Sequence, residues 1–344
     1  MKIVVDSMGG DHAPAVVIAG AVAAARARGT QIILVGREAE VRAALVQHGD
    51  VSQLPIEIVH ASEVIEMNEH TEAVRLKRDS SIRVGMKLVK TGRADAFASA
   101  GNSGGVMASA LFDLGRIPGV ERPALGSIYP AAPVPCLLID IGASADCKPE
   151  YLMQFALMGH AYARVIFGLE QPKIGIVSNG EEEDKGSMLV RETFQLLKAS
   201  GLNFIGNVEG KDIGKGLANV VVTDGLTGNV MVKLTEGVVS FLFKTLAREL
   251  TGGVRNKIAL ALMIPGLLVA LPGLAVLAPT IAALRKRFDW REIGGAPLLG
   301  VNGAVVIGHG RSDAKAIQSM IRMAEQSAEL ELVKAIETAL APQS

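Results

Sequence analysis

Five polar loops in this sequence carry residue types that bind and polarise an anionic substrate. The densest is Ala98-Ser99-Ala100-Gly101-Asn102-Ser103-Gly104-Gly105, which ends one apolar run and opens another, residues 106–114. A strand that stops in such residues and then starts a helix leaves backbone N–H groups free at the helix N-terminus. There the helix dipole also favours negative charge. Gly101 and Gly104 let a ligand approach the backbone, and Asn102 and Ser103 add small donors. The same turn also reads as ordinary α/β punctuation, so the case for an anion site rests on similar loops elsewhere in the chain.

Four such loops follow. Asp6-Ser7-Met8-Gly9-Gly10-Asp11 comes after the short apolar run 2–5, and Asp6 and Asp11 either orient a ligand or brace the turn. Asp140-Ile141-Gly142-Ala143-Ser144-Ala145-Asp146-Cys147-Lys148-Pro149 mixes glycine, acid and base. In Ser178-Asn179-Gly180-Glu181-Glu182-Glu183-Asp184-Lys185-Gly186 the four acids read as a solvated loop. Lys185, directly after them and before a glycine and a helix start, is the less usual residue. Thr223-Asp224-Gly225-Leu226-Thr227-Gly228-Asn229 feeds a helix with apolar residues at Leu234, Val238, Phe241, Leu242 and Leu246. His309, between Gly308 and Gly310 at a strand end, reads as a proton donor or as a structural hydrogen-bond partner. No histidine pair has metal-ligand spacing, and glutamate-rich loops alone do not make a metal site. The Gly-Lys-Ser/Thr ending of a P-loop, a nucleophile elbow and a dinucleotide fingerprint are absent from the sequence. The expectation is therefore no metal and no cofactor.

The elements that must position these residues alternate. Apolar runs at 2–5, 32–35, 56–59, 94–98, 135–141, 173–177, 220–222 and 304–307 read as strands, with helical patterns between most of them. Arg122-Pro123-Ala124 reads as a linker. One helix is expected over 72–90, where Arg75, Lys77, Arg78, Arg83 and Lys87 form either a solvated basic face or a site for an acidic partner. This alternation predicts a three-layer α/β/α fold on a mainly parallel, doubly wound sheet. In such sheets ligands bind beyond the carboxyl ends of the strands, so the five loops are expected to converge on one cleft.

Composition narrows the partners. Lys plus Arg equals Asp plus Glu at 35 each, and three tyrosines with one tryptophan offer little stacking surface, so no nucleic acid is expected. Cys136 and Cys147 have neither metal nor disulfide spacing, which fits a reduced cytoplasmic setting. Residues 258–284 carry no charge but are interrupted by Pro265, Pro272 and Pro279. Prolines disfavour one continuous helix, and two short helices meeting near Leu271-Pro272-Gly273 are expected. That apolar hairpin, 255–287, would lie on a membrane surface, pack in a dimer or span the bilayer; Arg255, Lys257, Arg285, Lys286 and Arg287 flank it, where they would meet anionic headgroups.

In this order the loops resemble the PlsX family, acyl-acyl carrier protein:phosphate acyltransferases of bacterial phospholipid synthesis. The resemblance runs from Asp6-Ser7-Met8-Gly9-Gly10-Asp11 through Asp146-Cys147-Lys148-Pro149, Asn179-Gly180-Glu181-Glu182 and Asp224-Gly225 to Gly294-Gly295-Ala296-Pro297-Leu298-Leu299-Gly300 and His309-Gly310. Ser103, Ser144 and Leu226 depart from the family pattern, where threonine, asparagine and phenylalanine are common. The resemblance implies one domain over 1–344 with a fold like isocitrate and isopropylmalate dehydrogenases and phosphotransacetylases. It implies transfer of a long acyl chain from acyl carrier protein to inorganic phosphate in a homodimer bound peripherally to the inner face of the cell membrane. The downstream glycerol-3-phosphate acyltransferase is a further expected partner. On this reading Lys185, Asn229 and His309 are the candidate catalytic residues. Asp6, Gly9, Gly10, Asp11, Gly101, Asn102, Ser103, Gly104, Asp146, Lys148, Asn179, Glu182, Asp224 and Gly228 are the candidate substrate-binding residues.

Overall fold

The computed structural model describes residues 1–131 and 133–341. In chain order the first elements are β1 (Lys2–Asp6), α1 (Ala15–Arg28), β2 (Gln31–Gly36), α2 (Glu38–Val46), β3 (Ile56–His60), α3 (Ala73–Leu76), α4 (Ser81–Lys90), β4 (Ala96–Ser99) and α5 (Ser103–Ser109). Helix α5 continues as a π-helix over Ala110–Leu114. Next come β5 (Ala124–Tyr129), β6 (Cys136–Ile139), α6 (Pro149–Phe167), β7 (Ile174–Val177), α7 (Met188–Ala199), β8 (Phe204–Val208) and β9 (Val220–Val222). The remainder is α8 (Gly225–Thr251), α9 (Gly253–Phe288), α10 (Trp290–Ile293), β10 (Ala296–Leu299), β11 (Ala304–Ile307), α11 (Ala314–Glu329) and α12 (Leu332–Leu340).

The chain divides into two compact units, residues 1–228 with 290–344, and residues 229–289. The larger holds one eleven-stranded sheet of order β3-β2-β1-β4-β11-β10-β5-β6-β9-β7-β8. Strands β3, β2, β1, β4 and β11 are parallel. Strand β10 runs antiparallel to both β11 and β5, and β5 runs antiparallel to β6. Strands β6, β9, β7 and β8 are parallel to one another. The sheet is thus two parallel blocks that point in opposite directions, joined through β10 and β5. The α/β/α class is as expected, while β5, β8 and β10 are strands that the apolar runs did not announce, and Ala124 belongs to β5 rather than to a linker.

Both faces of the first block are covered, as parallel strands require. Ile3, Val5, Ile32 and Leu34 sit in one apolar cluster with residues of α1 and α11. Their neighbours Val4, Ile33 and Val35 sit in another with Ile82 and Met86 of α4 and Val106 of α5. This is the period of two that a strand imposes. A separate cluster fills the second block, where Leu137, Ile139, Ile174, Ile176, Val220 and Val222 meet α6, α7 and α12.

Two expectations are corrected. The helix expected over 72–90 is broken into α3 and α4, because Glu63 and Ser80 form a β-bridge and Ser62 donates two hydrogen bonds to Asp79. Its basic residues are not one face. Arg83 is buried and bidentate on Asp113 at 2.8 and 2.6 Å, and Lys77 bonds Glu69, while Arg75, Arg78 and Lys87 remain exposed. The second correction concerns the apolar segment. Helix α9 runs unbroken past Pro265, Pro272 and Pro279, and the interruption falls at Gly252, with Gly253 at φ 75°. A spacing of seven is close to two helical turns, so the missing N–H groups fall on one stripe and the rest of the ladder persists.

In the smaller unit, α8 and α9 expose Phe241 (69 %), Leu262 (76 %) and Val276 (79 %) among many apolar side chains. Arg255, Lys257, Arg285, Lys286 and Arg287 lie outside the residues whose side chains are described. Among the described residues no helix is long and apolar enough to cross a membrane.

Candidate active site

The loops after β1, β4 and β11 adjoin because those strands do. Asp6 is 1 % exposed and spends its carboxylate inside the protein, accepting from Met8 N–H at 3.1 Å and from the Ser99 hydroxyl at 2.7 Å. Of the two readings open for it, this geometry is that of the brace rather than of a ligand contact. Burial pushes its carboxyl pKa above the usual range, against the hydrogen bonds that pull it down. Gly9 is equally structural, since a Cβ there would lie 2.4 Å from Asp6 Oδ2 and 2.7 Å from Gly101 N. Gly10 packs against the Gly310 carbonyl and Ala100, and Asp11 N–H donates to that same carbonyl at 2.8 Å. The Asp11 side chain and His309 are exposed beside this junction.

Asn102 caps α5, its Oδ1 accepting from Gly105 N–H at 2.9 Å. Its Nδ2 meets the carbonyls of Glu66, Met67 and Glu69 at 3.0, 3.2 and 2.8 Å. The side chain is fully used in tying the turn to the 66–69 loop. The anion-binding capacity of the turn therefore lies in the first N–H groups of the helix, those of Ser103 and Gly104, which the helix itself cannot satisfy. Ser103 is exposed and Gly101 buried.

In the second block the organiser is a residue outside the sequence-derived set. Asp140 is fully buried; Oδ1 accepts from Leu125, Gly142 and Ala143 N–H, and Oδ2 from Ser144 N–H at 2.7 Å. Burial nonetheless raises its pKa. The loop it shapes carries Asp146 and Lys148, both exposed, and Cys147, whose thiol burial pushes up to about 11. The β9 loop closes on it, with Gly225 N–H donating to the Ser144 carbonyl at 2.8 Å. Asp224 is occupied by the N–H and hydroxyl of Thr227. Gly228 is buried, and a Cβ there would lie 1.9 Å from the Asp140 carbonyl oxygen. Asp224 and Gly228 therefore shape the turn. Asn229, half-buried, begins the smaller unit on α8.

The third loop, after β7, is held by Asn179, which accepts from Gly186 N–H at 2.9 Å, and by Asn207, which donates to the Glu182 carbonyl. Lys185 and Glu182 lie against Gly180, and both are exposed. Among the described residues, the only group of three whose ligand atoms lie close enough together to hold a metal ion is Glu181, Glu209 and Asp212. Glu209 pairs with Lys211 and Asp212 with Lys215, so the protein's own ammonium groups already meet two of the three acids.

Convergence of all five loops on one end of the sheet is not what forms. Opposed block directions place the carboxyl ends of β1, β4 and β11 at one end, and those of β6, β9 and β7 at the other. The link between the groups is lateral. Ile141 and Ala143 of the Asp140 loop pack on the apolar cluster that contains Val106 of α5 and Leu125 of β5. A reversal made by two short antiparallel strands leaves no trace in the hydrophobic pattern, and Asp140 was disguised as one acid among many.

A family model described as "Fatty acid synthesis protein" matches residues 1–335. A phosphate acyltransferase of Herpetosiphon aurantiacus is 49 % identical over 360 residues, covering 99 % of this chain and 98 % of the relative. One of Dictyoglomus turgidum is 49 % identical, covering 98 % and 96 %. Among solved structures, a phosphotransacetylase from Streptococcus pyogenes superposes with a TM-score of 0.60 at 19 % identity, covering 95 % of this chain and 94 % of that one. A 4-hydroxythreonine-4-phosphate dehydrogenase from Klebsiella pneumoniae gives 0.56 at 12 %, covering 95 % and 99 %. At these identities the structural likeness is one of fold.

Proposed function

The chain belongs to the fatty acid synthesis protein family of phosphate acyltransferases, and from that premise we propose that it moves a long-chain acyl group from acyl carrier protein to inorganic phosphate. The product is an acyl phosphate for phospholipid synthesis. The observation that carries this reading is the match at nearly half identity along nearly all of both chains.

A phosphate oxygen attacks the thioester carbonyl carbon, and a C–O bond forms as the carbonyl becomes an oxyanion. The C–S bond then breaks with its electron pair on sulfur, and the thiolate takes up the proton that hydrogen phosphate gives up. Phosphate is already an anionic nucleophile near neutral pH, so positioning outweighs base strength. Ser103 and Gly104 N–H groups hold the phosphate. His309, at the same end of the sheet, passes the proton to sulfur. Lys185 and Asn229 follow strands of the second block, so for them to orient the phosphate or stabilise the oxyanion the bound substrate must bridge the two groups of loops. Asp11, Asp146, Lys148, Asn179 and Glu182 complete the substrate-binding surface. Asp6, Gly9, Gly10, Gly101, Asn102, Asp224 and Gly228 serve it indirectly, by holding loops in register. The protein acts as a homodimer in the cytoplasm, on the inner face of the cell membrane, through 258–284. The exposed apolar side chains of α8 and α9 support that placement. The acyl phosphate passes to a glycerol-3-phosphate acyltransferase.

The test is acyl phosphate formation by purified protein from acyl-acyl carrier protein and phosphate, without metal or nucleotide. Phosphate-dependent product supports the reading, and Lys185→Ala and Asn229→Ala should each lower kcat by about a hundredfold. Faster turnover with acyl-CoA would point instead to a phosphotransacetylase-like enzyme. No product from folded protein, even with lipid present, would point to a scaffold that recruits acyl carrier protein.

A further inference from the structure

Two cations near the Asp140 loop carry charge that no acid answers. Arg122 lies 5.7 Å from the centroid of the Tyr151 ring, and Lys148 lies 6.0 Å from the same centroid. Both are exposed, and among the described residues neither forms an ion pair or donates a side-chain hydrogen bond. Nearby Arg116, by contrast, is spent on the Glu121 carbonyl, and Arg83 on Asp113. Asp146 and Glu150 share the turn with Lys148 without pairing to it.

A ring face orients a cation without neutralising it. Two cations within about 6 Å of one ring centre add their positive potentials in that neighbourhood, which favours an anion there. The chemistry of the pair suits a phosphate group, since guanidinium forms a planar fork to two phosphate oxygens while ammonium acts as a point charge. Lys148 also stands at the N-cap of α6, a 19-residue helix that has no side-chain cap.

We propose that Arg122 and Lys148, set on Tyr151, bind the phosphodiester of the pantetheine arm that carries the acyl thioester. This rests on the acyl carrier protein reading above. That reaction brings two phosphate groups together, the nucleophile and the one in the donor's arm. The larger unit offers two anion-favouring places, one on each strand block. The Ser103–Gly104 turn on the first block takes the nucleophile, and the exposed pair on the second takes the arm.

The test compares 4′-phosphopantetheine with pantetheine, which lacks the phosphate, by titration calorimetry on the full chain. Wild type should bind the phosphorylated arm about fivefold or more tightly, and Arg122→Gln with Lys148→Gln should erase the difference. Tyr151→Phe should keep the preference and Tyr151→Ala should lose it, because only the ring face is required. In turnover, the double variant should raise KM for acyl-acyl carrier protein about tenfold with no change in KM for inorganic phosphate. Equal binding of the two arms by wild type would overturn the proposal, as would a preference that survives in the double variant. A raised KM for inorganic phosphate would overturn it too, by assigning the pair to the nucleophile. The binding arm needs no turnover, so a phosphate preference without acyl phosphate formation sinks the reaction and leaves the subsite. Acyl phosphate formation without the preference does the reverse.

Discussion

Gly228→Ala and Gly237→Ala place the same substitution twice on α8 and should have opposite effects. At Gly228 the added carbon would lie 1.9 Å from the Asp140 carbonyl oxygen and 3.0 Å from its carbonyl carbon. A carbon and an oxygen in close contact sit about 3.3 Å apart, so the helix start must retreat by about 1.4 Å from backbone that cannot rotate aside. That movement strains the Gly225 N–H bond to the Ser144 carbonyl, at 2.8 Å, and the Asp140 N–H bond to Thr223, at 3.0 Å. Overpacking costs about 1–3 kcal/mol and each hydrogen bond about 1 kcal/mol, less the helix preference of alanine over glycine, for a net loss of about 2–4 kcal/mol. At about 2.1 cal/mol/K per residue, 344 residues give an unfolding entropy near 0.7 kcal/mol/K, so Tm should fall by about 3–6 °C. At Gly237 a Cβ meets nothing within 4 Å, and alanine should raise Tm by about 1 °C. Thermal unfolding of both variants beside wild type is the assay. A Gly228→Ala midpoint at or above wild type, or a Gly237→Ala midpoint below that of Gly228→Ala, would refute the packing argument.

Asn102→Asp should destabilise more than Asn102→Ser, reversing the near-equality of Asp and Asn at ordinary helix caps, because a carboxylate oxygen would face three carbonyls now met by Nδ2. The gap should be about 1–3 kcal/mol in denaturant unfolding, and equal losses would contradict it. Asp6 has a raised pKa in the fold, so it binds a proton there more tightly than in the unfolded chain. Its contribution to stability is full below about pH 4 and is lost as pH rises through the folded value. Asp6→Asn, which cannot ionise, should make the decline of Tm from pH 4 to pH 8 shallower, and an unchanged slope would show that Asp6 ionises no differently in the fold.

The sequence announces the strands whose side chains are apolar on both faces, such as Ile3-Val4-Val5 and Val220-Val221-Val222, because burial on two sides removes polar alternation. It hides β10, where Pro297 pairs with Val306 in the middle of the sheet although proline removes a ladder donor. It hides β8 behind Gly206 and the irregular register beside it. Loop motifs show which residues gather near the site, but not which of them face a ligand. Asp6 and Asn102 have the same residue types whether they bind substrate or brace a turn, and only the partners at 66–69 and 99–101 separate the two. Those partners lie more than thirty residues away from their targets, beyond any local pattern.

Strand β4 has β1 on one side and β11 on the other, and the register joins Ala96 to Ala304. Everything from α5 through β10 is therefore made before β4 gains its second neighbour. During synthesis the first block waits with an open edge while the second block, whose strands lie between Cys136 and Val222, is already complete in sequence. Long-range closure of this kind is slow and leaves strand edges exposed. The half of the sheet begun first is thus the half finished last, and a nascent chain stalled within α9 would present β4 unpaired on that side.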